Sequence, residues 1–389
     1  MKITKVEYLE AHWWRWVRVH TDEGITGTGE LHGGSGGSGT PFTSPASVKY
    51  MAEYLIGKDP LQIERHWQHM FRRQLFRGGS DPMAAIGGID MALWDIKGKA
   101  AGLPVYALLG GPTREKVRCY VHLVGESAQQ LAEDARRRVA EGYTAVRFYP
   151  LGAFAPKPGE SGTEFSRASY TKIARMAEER VRAVREAVGP DVDVMIDVVN
   201  RLQPAEALAV ANAVAPYNLY FFEDPIEPDN LDAQAEFARR SPVPVSTGER
   251  LQTIYQFQDL INKRAAAYVR PDISLAGGIS GLKRIAAIAE ANYVGVIPHN
   301  PMSAIATAAC VHFDASIHNC PVQEYVGDEF EKPKIDLVQE PLKFDAGYVI
   351  VPNKPGLGVE LNIEALKHYP PLPFNRAPVV YPDGALRDY

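Results

Sequence analysis

The chain has few cysteines, no long apolar run and no large excess of charge of either sign. Its three cysteines, Cys119, Cys310 and Cys320, are an odd number without C-x-x-C spacing, which argues against a disulfide framework or a structural zinc site. We therefore expect buried thiols. No stretch approaches the roughly 18 apolar residues that would span a membrane. The 42 Lys and Arg residues nearly balance 47 Asp and Glu residues, so the basic surface of a nucleic-acid-binding protein is missing.

What remains is the composition of a globular protein with a large core. The 389 residues are 46% hydrophobic and 23% charged, and this length suggests two domains or one large domain with a smaller one attached. Residues 1–6 alternate like a strand and no apolar signal core follows them. We expect a cytoplasmic protein.

The segment 1–113 predicts a small α+β domain. Alternation at 2–9, 14–20 and 25–29 indicates an antiparallel sheet, and helical spacing of apolar residues follows from 44 to about 101. Between them, the glycine-rich segment 31–40 is expected to be a mobile loop. It matches G-x-G-x-x-G, but it does not join a strand to a helix in a βαβ unit, which argues against dinucleotide binding.

After residue 113, short apolar strands alternate with amphipathic helices. The candidate strands are 117–124, 145–149, 194–197, 220–223, 243–248, 267–270, 294–299 and 322–324. Eight strand-helix units predict a (β/α)8 barrel over 114–342, close to the typical size of about 250 residues. We expect the long loop at 151–167 to lie on the active face of the barrel, and the tail at 343–389 to fold back on the first domain.

Three acidic residues stand at the carboxyl ends of consecutive predicted strands. Asp197, Glu223 and Glu249 follow one another at equal intervals, each the length of one strand-helix unit. In a barrel these positions converge on the face that holds the active site. Three oxygen ligands without Cys or His suit Mg²⁺. An acid after a strand can also be a simple helix cap, but three in register favour a metal site.

The next two strand ends carry Asp272 and His299, which are again separated by about one strand-helix unit. Side by side, the carboxylate would orient the imidazole and raise its basicity, so that His299 could act as a general base. Glu324 follows after one more unit, at the last strand, and could hydrogen-bond a substrate oxygen. A structural role for the histidine is the alternative interpretation.

On the second barrel strand, the period-2 rule turns Arg147 and Tyr149 to the same side, into the barrel mouth. The arginine could bind an anion or lower the phenol pKa of Tyr149. The alternative is a structural tyrosine with a paired hydroxyl. A metal with a histidine on one side and an Arg/Tyr pair on the other could abstract a proton next to a carboxylate and stabilise the enediolate. With a hydroxyl on the β-carbon, that intermediate can expel water.

Motifs along the whole chain resemble the mandelate racemase branch of the enolase superfamily, and within it the galactonate and mannonate dehydratase groups. The motifs are Thr21-Asp22-Glu23-Gly24 with Gly27-x-Gly29-Glu30, Ile89-Asp90-Met91-Ala92-Leu93-Trp94-Asp95, Glu223-Asp224-Pro225, Thr247-Gly248-Glu249-Arg250, Pro271-Asp272 with Gly277-Gly278-Ile279, Pro298-His299, Gln323-Glu324 and Lys354-Pro355-Gly356-Leu357-Gly358.

This resemblance implies an α+β capping domain over a modified barrel, a single Mg²⁺ on the three acids and a His299/Asp272 base. It also implies an acid-sugar substrate and a homo-oligomer, from a dimer to an octamer. Residues 12–16 and the glycine-rich segment would belong to the cap that sets specificity. The implied substrate-binding residues are Trp14, Arg15, His32, Asn200 and Arg250.

Two features depart from the family pattern. Galactonate and mannonate dehydratases typically have a histidine two residues after the first metal ligand, and it acts as the acid for the departing hydroxyl. This chain has Val199 at that position. The Lys-x-Lys pair of another branch is also absent, and Arg147-x-Tyr149 resembles the pair of one group of galactarate dehydratases. Tyr149 is then the candidate second acid/base group, unless His299 performs both proton transfers in a syn elimination.

We expect a Mg²⁺-dependent dehydratase that turns an aldonic or aldaric acid into a 2-keto-3-deoxy acid. A racemase, epimerase or cycloisomerase is the nearest alternative, because Tyr149 and His299 could exchange a proton on one carbon without loss of water. A family member that keeps the metal site but has lost turnover is a third interpretation, which Val199 makes conceivable.

Overall fold

The computed structural model describes residues 1–32, 45–152, 163–165, 168–372, 380 and 383–386. Three of our predictions therefore concern residues outside the described part of the chain. They are the prediction of a mobile loop for the glycine-rich segment, which concerns residues beyond 32, and the predictions for most of the 151–167 loop and for the end of the tail.

The described strands and helices follow one another as the sequence predicts. The strands are β1 (Ile3–Ala11), β2 (Trp14–Thr21), β3 (Thr26–Leu31), β4 (Lys116–His122), β5 (Ala145–Phe148), β6 (Asp193–Asp197), β7 (Phe221–Glu223), β8 (Val245–Thr247), β9 (Tyr268–Val269), β10 (Gly295–Val296), β11 (Gln323–Tyr325), β12 (Phe344–Asp345) and β13 (Tyr348–Ile350). The helices are α1 (Pro45–Leu55), α2 (Ile63–Arg72), α3 (Ser80–Ala101), α4 (Val105–Leu108), α5 (Ala128–Ala140), α6 (Tyr170–Val188), α7 (Pro204–Val214), α8 (Leu231–Arg240), α9 (Ile254–Asn262), α10 (Gly278–Glu290), α11 (Ala304–Asp314) and α12 (Ile363–Leu366).

All eight strands predicted after residue 113 are present as β4 to β11. Most are shorter than their apolar runs, and β9 and β10 have two residues each. The described residues fall into two compact units. The first contains those of Met1–Arg118, Glu249–Phe257 and Pro271–Phe374, and the second contains those of Cys119–Gly248, Gln258–Arg270 and Asn375–Tyr389.

In the first unit, an antiparallel sheet of β1, β2 and β3 packs on α3. Val6 pairs with Val19 and Val17 pairs with Gly29 across the sheet. Glycine allows the close approach of β3 to α3: a Cβ on Gly29 would lie 1.9 Å from the carbonyl oxygen of Gly88. Apolar side chains from the sheet and from α1, α2 and α3 form the core beneath. The packing fixes the end of β3, where Glu30 and His32 lie.

In the second unit, the strands from β4 to β9 pair in parallel with their chain neighbours. Val194, Met195 and Ile196 of β6 are all fully buried, as expected for a parallel strand covered on both faces. The register places Asp197 directly beside Glu223 at the carboxyl ends of β6 and β7. Helix caps fix where the chain leaves the sheet, for example the capping box of Ser127 and Gln130 at α5.

Two expectations from composition can be checked directly. Cys119, Cys310 and Cys320 are all buried, which confirms the prediction of buried thiols. Among the residues that the structure describes, no helix is both long enough and apolar enough to cross a membrane.

Candidate active site

Two predicted metal ligands and two arginines form a charge cluster in the second unit. The Arg147 guanidinium contacts both acids, with Nη2 2.7 Å from Asp197 Oδ2 and Nε 3.3 Å from Glu223 Oε2. Arg270 adds a contact of 2.7 Å from its Nε to Glu223 Oε1. All four side chains are buried. The cluster follows from the register, because Asp197 and Glu223 end neighbouring strands.

The donor chemistry of this cluster fits a magnesium ion. Carboxylate oxygens are hard ligands, and Asp197 and Glu223 present them from adjacent strand ends. Arginine stays charged at any relevant pH, so Arg147 and Arg270 supply positive charge beside both carboxylates and cannot serve as metal ligands themselves. Asp197 Oδ1 also accepts the backbone N–H of Val199 at 2.7 Å, which orients the carboxylate.

The chain after Asp197 is conformationally strained. Val199 and Asn200 both have positive φ, at 54° and 56°. A β-branched residue is rare in this region, and such strain concentrates at functional sites. The Asn200 amide donates to the carbonyl of Ile226 at 2.6 Å, so its nitrogen holds the neighbouring loop. The position that would carry an acidic histidine in the related dehydratases is thus a valine held in a left-handed turn.

The sequence predicted Tyr149 as the last residue of a strand over 145–149, but β5 ends at Phe148 and Tyr149 is the first residue beyond it. The Arg147 guanidinium packs over its ring at 4.5 Å, a cation–π contact. The His122 ring meets it edge to face at 6.4 Å between centroids. The predicted Arg/Tyr pair therefore exists as a contact, but the guanidinium also binds the carboxylates of Asp197 and Glu223.

The predicted base lies in the first unit. His299 Nδ1 hydrogen-bonds Asp272 Oδ2 at 2.8 Å, and the isolated β-bridge between these residues brings them together. The other oxygen, Asp272 Oδ1, accepts the backbone N–H groups of Ser274 and Leu275, both at 2.8 Å. With its orientation fixed by two backbone donors, the carboxylate leaves Oδ2 for the imidazole. His299 Nε2 lies 3.3 Å from Glu249 Oε2.

Charge around this imidazole shifts its titration strongly. Burial alone would lower the pKa of His299, but the carboxylates of Glu249, Glu324 and Asp272 outweigh it and raise the pKa to about 10. Burial also raises the pKa of Asp272, and the two neighbouring imidazoles and its hydrogen bonds reverse this to a lowered pKa. A cation that neutralises Glu249 would act in the opposite direction on the histidine.

His32 lies close to the same carboxylate, that of Asp272. Its Nε2 lies 3.5 Å from Asp272 Oδ2, and its ring is nearly parallel to that of His299, with 6.0 Å between centroids. Burial lowers the pKa of His32, which favours the neutral imidazole. The backbone N–H of His32 donates to Ser274 Oγ at 2.8 Å. His32, which the resemblance implies as a substrate contact, is therefore also a neighbour of the His299/Asp272 pair.

Glu324 holds the backbone next to the base. Its Oε2 accepts the N–H of Asn300 at 2.8 Å, and the side chain is fully buried. The sequence suggested a hydrogen bond to substrate for Glu324. The hydrogen bond to Asn300 gives Glu324 a structural role as well, because it connects β11 to the residue that follows His299.

The remaining predicted substrate contacts have protein partners of their own. Arg15 donates to the carbonyls of His12 and Trp14, and its Nε lies 3.3 Å from Glu10 Oε2. The Trp14 ring stacks on the His12 ring, and the Lys334 ammonium lies over the Trp14 ring, 5.8 Å from its centroid. Arg250 is half-buried beside Glu249.

Sequence reasoning missed Arg270 and Glu30. Arg270 stands two residues before Asp272 at a strand end, so strand periodicity could have flagged it. Glu30 was visible only as part of a motif, and its contacts with Ser303 bridge 273 positions of sequence. No local pattern reports a contact at such a separation.

Comparison with known proteins gives two family-model matches. The model described as "Mandelate racemase / muconate lactonizing enzyme, N-terminal domain" matches residues 10–110, and "Enolase C-terminal domain-like" matches residues 130–366. Among curated relatives, a D-galactonate dehydratase of Pectobacterium atrosepticum is 34% identical over 100% of both chains. One from Xanthomonas oryzae pv. oryzae is 36% identical, covering 94% of each chain.

Solved structures agree with this result. An enolase from Agrobacterium radiobacter, provisionally named a galactarate dehydratase and bound to Na and L-malate, superposes with a TM-score of 0.89 at 29% identity and covers 100% of both chains. A provisionally named dehydratase from Mesorhizobium loti has a TM-score of 0.85 at 32% identity, over 95% of this chain and 98% of that chain. These neighbours confirm the predicted fold class, an α+β capping domain with a modified (β/α)8 barrel.

Proposed function

Because the chain belongs to the mandelate racemase / muconate lactonizing enzyme family of the enolase superfamily, we propose that it is a Mg²⁺-dependent dehydratase that converts an aldonic or aldaric acid into a 2-keto-3-deoxy acid. The hydrogen bond of His299 to Asp272 carries the proposal, since it engages Nδ1 and makes Nε2, which lies 3.3 Å from Glu249 Oε2, the atom that would accept the substrate proton. The names of relatives that align over nearly their full length confirm the coarser prediction of an acid sugar dehydratase.

His299 removes the proton next to the substrate carboxylate. Asp272 fixes the ring orientation through Nδ1 and stabilises the imidazolium that forms when Nε2 accepts the proton. The two backbone donors on Asp272 Oδ1 prevent the carboxylate from turning away. General-base catalysis of this kind contributes about 10²–10⁴-fold to a rate.

Loss of the β-hydroxyl needs a proton for the departing oxygen and leaves the enol of the product, which becomes the 2-keto-3-deoxy acid when the β-carbon takes up a proton. Two groups can protonate the departing oxygen. Tyr149 has a phenol beside the Arg147 guanidinium, whose charge makes a phenol a better acid. Alternatively, the imidazolium of His299 returns the proton it has just taken, in a syn elimination.

We assign the metal ligands as Asp197, Glu223 and Glu249. The first two are adjacent buried carboxylates, and Glu249 extends the series by the same interval of one strand-helix unit. The bound Mg²⁺ would act as a Lewis acid that stabilises the negative charge developing on the substrate carboxylate. Substrate contacts from Trp14, Arg15, His32, Asn200 and Arg250, and assembly into a homo-oligomer, remain part of the proposal.

A racemase or epimerase is the second candidate, and the valine at position 199 favours it. A side chain that cannot donate a proton, held at φ 54°, stands where related dehydratases have an acid. Proton exchange between Tyr149 and His299 on opposite faces of one carbon would need no such acid. The two candidates differ in product, because only dehydration forms a keto acid.

A library screen separates these functions. Purified protein with Mg²⁺ is incubated with aldonic, aldaric and uronic acids, and 2-keto acid is read as semicarbazone absorbance. We expect one acid or a small stereochemical group to react. Exchange of the substrate α-proton with solvent, without keto acid, would replace the dehydratase by the proton-transfer enzyme. Neither signal across the library would indicate a chain that has lost turnover.

A further inference from the structure

Glu30 is a buried carboxylate that the proposed reaction does not use. It is the fifth residue of β3 and is fully buried. Burial raises its pKa to about 7, although three hydrogen bonds act in the opposite direction. A buried acid is costly unless its oxygens are satisfied, so its partners indicate its task.

The partners of Glu30 all lie at the start of α11. Oε1 accepts the N–H of Ser303 at 2.9 Å, while Oε2 accepts the Ser303 hydroxyl at 2.6 Å and the N–H of Ala306 at 3.0 Å. Ser303 is the N-cap residue of α11, but its own side chain caps nothing. A carboxylate from β3 therefore takes over the capping, where the helix dipole favours negative charge.

A second contact from the same sheet reaches the same hydroxyl. Trp16 of β2 is fully buried and donates its indole N–H to Ser303 Oγ at 3.2 Å. The hydroxyl thus donates to Glu30 and accepts from Trp16. The N-cap of α11 is held by two side chains of the antiparallel sheet.

This anchored helix start lies four residues after His299 in the chain. Asn300 links the two, because its amide donates to Thr307 Oγ1 of α11 at 2.9 Å. The Thr307 hydroxyl in turn donates to the carbonyl of Ser303 at 3.1 Å. The segment between His299 and α11 is therefore braced along its length, and Glu30 holds its far end.

The end of β3 reaches the other half of the catalytic pair as well. Two residues after Glu30, the N–H of His32 donates to Ser274 Oγ, and His32 Nε2 lies 3.5 Å from Asp272 Oδ2. Ser274 also donates its own N–H to Asp272 Oδ1. One strand end is thus bonded to the loop that carries Asp272 and to the helix that follows His299.

We propose that Glu30 is a positioning residue that sets His299 relative to Asp272 by anchoring Ser303 and α11 to β3. The inference rests on the proposed role of His299 as the base. Glu30 touches no reacting atom, so its loss should affect the chemical step and leave metal binding unchanged.

The test compares Glu30→Gln with Asp95→Asn. Asp95 is also fully buried and accepts three donors, the N–H groups of Thr28 and Leu357 and the ammonium of Lys99, but it contacts neither Ser303 nor α11. Glutamine keeps the length of Glu30, but its NH₂ cannot accept a hydrogen bond.

We expect kcat of Glu30→Gln to fall about 10–100-fold, as for residues that orient catalytic groups, with KM and Mg²⁺ affinity unchanged. Asp95→Asn should lose melting temperature to a similar degree and keep its kcat. Equal loss of kcat in both variants would reduce Glu30 to a structural residue and overturn the proposal.

A spectroscopic readout separates this inference from the proposed function. In protein labelled with ¹⁵N-histidine, the hydrogen-bonded Nδ1–H of His299 gives a low-field proton signal, assigned by its loss in His299→Asn. We expect Glu30→Gln to shift or broaden that signal and Asp95→Asn to preserve it. If the wild type dehydrates no sugar acid, the proposed function fails while this comparison still decides the role of Glu30. An unchanged signal in Glu30→Gln overturns the role.

If Glu30→Gln does not fold, Ser303→Ala and Trp16→Phe provide the same test with a smaller expected loss of stability. The first removes the hydroxyl that Glu30 and Trp16 share, and the second removes only the indole donor. We expect a graded loss of kcat, larger for Ser303→Ala. Wild-type kcat and an unchanged His299 signal in both variants would count against the proposal.

Discussion

Two groups of acids in this protein are balanced by different cations; all of their members are buried except the partly buried Glu249, which is also the third proposed metal ligand. In the second unit, Asp197 and Glu223 face Arg147 and Arg270. In the first unit, Asp272 and Glu249 face the imidazole of His299. A guanidinium keeps its charge at any relevant pH, whereas an imidazole can lose its proton, although the carboxylates around His299 raise its pKa to about 10.

This difference is consistent with the proposed chemistry of each group. The first group pairs hard carboxylate oxygens with arginines, which cannot themselves bind a cation, and this suits ligands for a hard cation. Carboxylates around an imidazole set when that ring gains or loses a proton, which suits acid–base catalysis. Four variants, ordered by expected effect, test this contrast.

Replacement of the imidazole should have the largest effect. His299→Asn removes the atom that accepts the substrate proton, so we expect turnover to fall by about 10²–10⁴-fold or more, with Mg²⁺ affinity nearly intact. Keto-acid formation and calorimetric Mg²⁺ titration measure the two effects. The control is His20→Asn, which alters a half-buried histidine of β2 that is paired with Glu7 of β1. Wild-type rates in His299→Asn would remove the residue from the mechanism.

Glu223→Gln tests the other group. The variant removes a proposed ligand and leaves Arg147 and Arg270 with one fewer counter-charge, and breaking a buried pair costs about 3–5 kcal/mol. We expect Mg²⁺ affinity to fall by about 100-fold or more and the midpoint of chemical unfolding to decrease. Glu236→Gln, an exposed acid paired with Arg239 on α8, should change neither quantity. Unaltered Mg²⁺ binding in Glu223→Gln would contradict the ligand assignment.

Tyr149→Phe asks whether the phenol takes part in proton transfer. The ring and its contact with Arg147 remain, and only the hydroxyl is lost. We expect dehydration to slow by about 10²-fold if the phenol is the acid for the departing hydroxyl. Tyr217→Phe, which deletes the phenol bonded to Glu178, is the matched control. Equal rates for wild type and Tyr149→Phe would leave both proton transfers to His299.

Asp314 extends the comparison to an acid outside both groups. Burial raises its pKa to about 7, with the Cys320 thiol and the Arg114 guanidinium opposing the shift. The pKa of Asp314 is higher in the folded protein than in the unfolded chain. Its stabilising contribution to the free energy of unfolding is therefore fully present below about pH 4 and is lost as the pH rises through 7. We expect Asp314→Asn to melt a few degrees higher than wild type at pH 8, with the advantage shrinking towards pH 5.

Thermal melts of wild type and Asp314→Asn across pH 5–8 measure this effect. A difference in melting temperature that does not vary with pH would show that the carboxyl does not titrate in this range.

The candidate site could be predicted in part because its residues end strands. Asp197, Glu223, Asp272 and His299 follow short apolar runs at intervals that are multiples of one strand-helix unit, and this regularity is visible without coordinates. The pairing of His299 with Asp272 is therefore a success of sequence reasoning. Arg15 shows its limit, because the sequence marks an available cation near the cap while the structure engages its guanidinium with two carbonyls and Glu10.

Local sequence was enough to predict the order of the strands up to β11 and the acidic residues that follow several of them. These features depend on spacing and backbone preference, which neighbouring residues specify. Three-dimensional packing was needed to learn that Arg147 bridges Asp197 and Glu223, that His32 shares Asp272 with the base, and that Glu30 caps α11. Such contacts join residues far apart in sequence, and the folded chain selects them because every buried charge must find a partner.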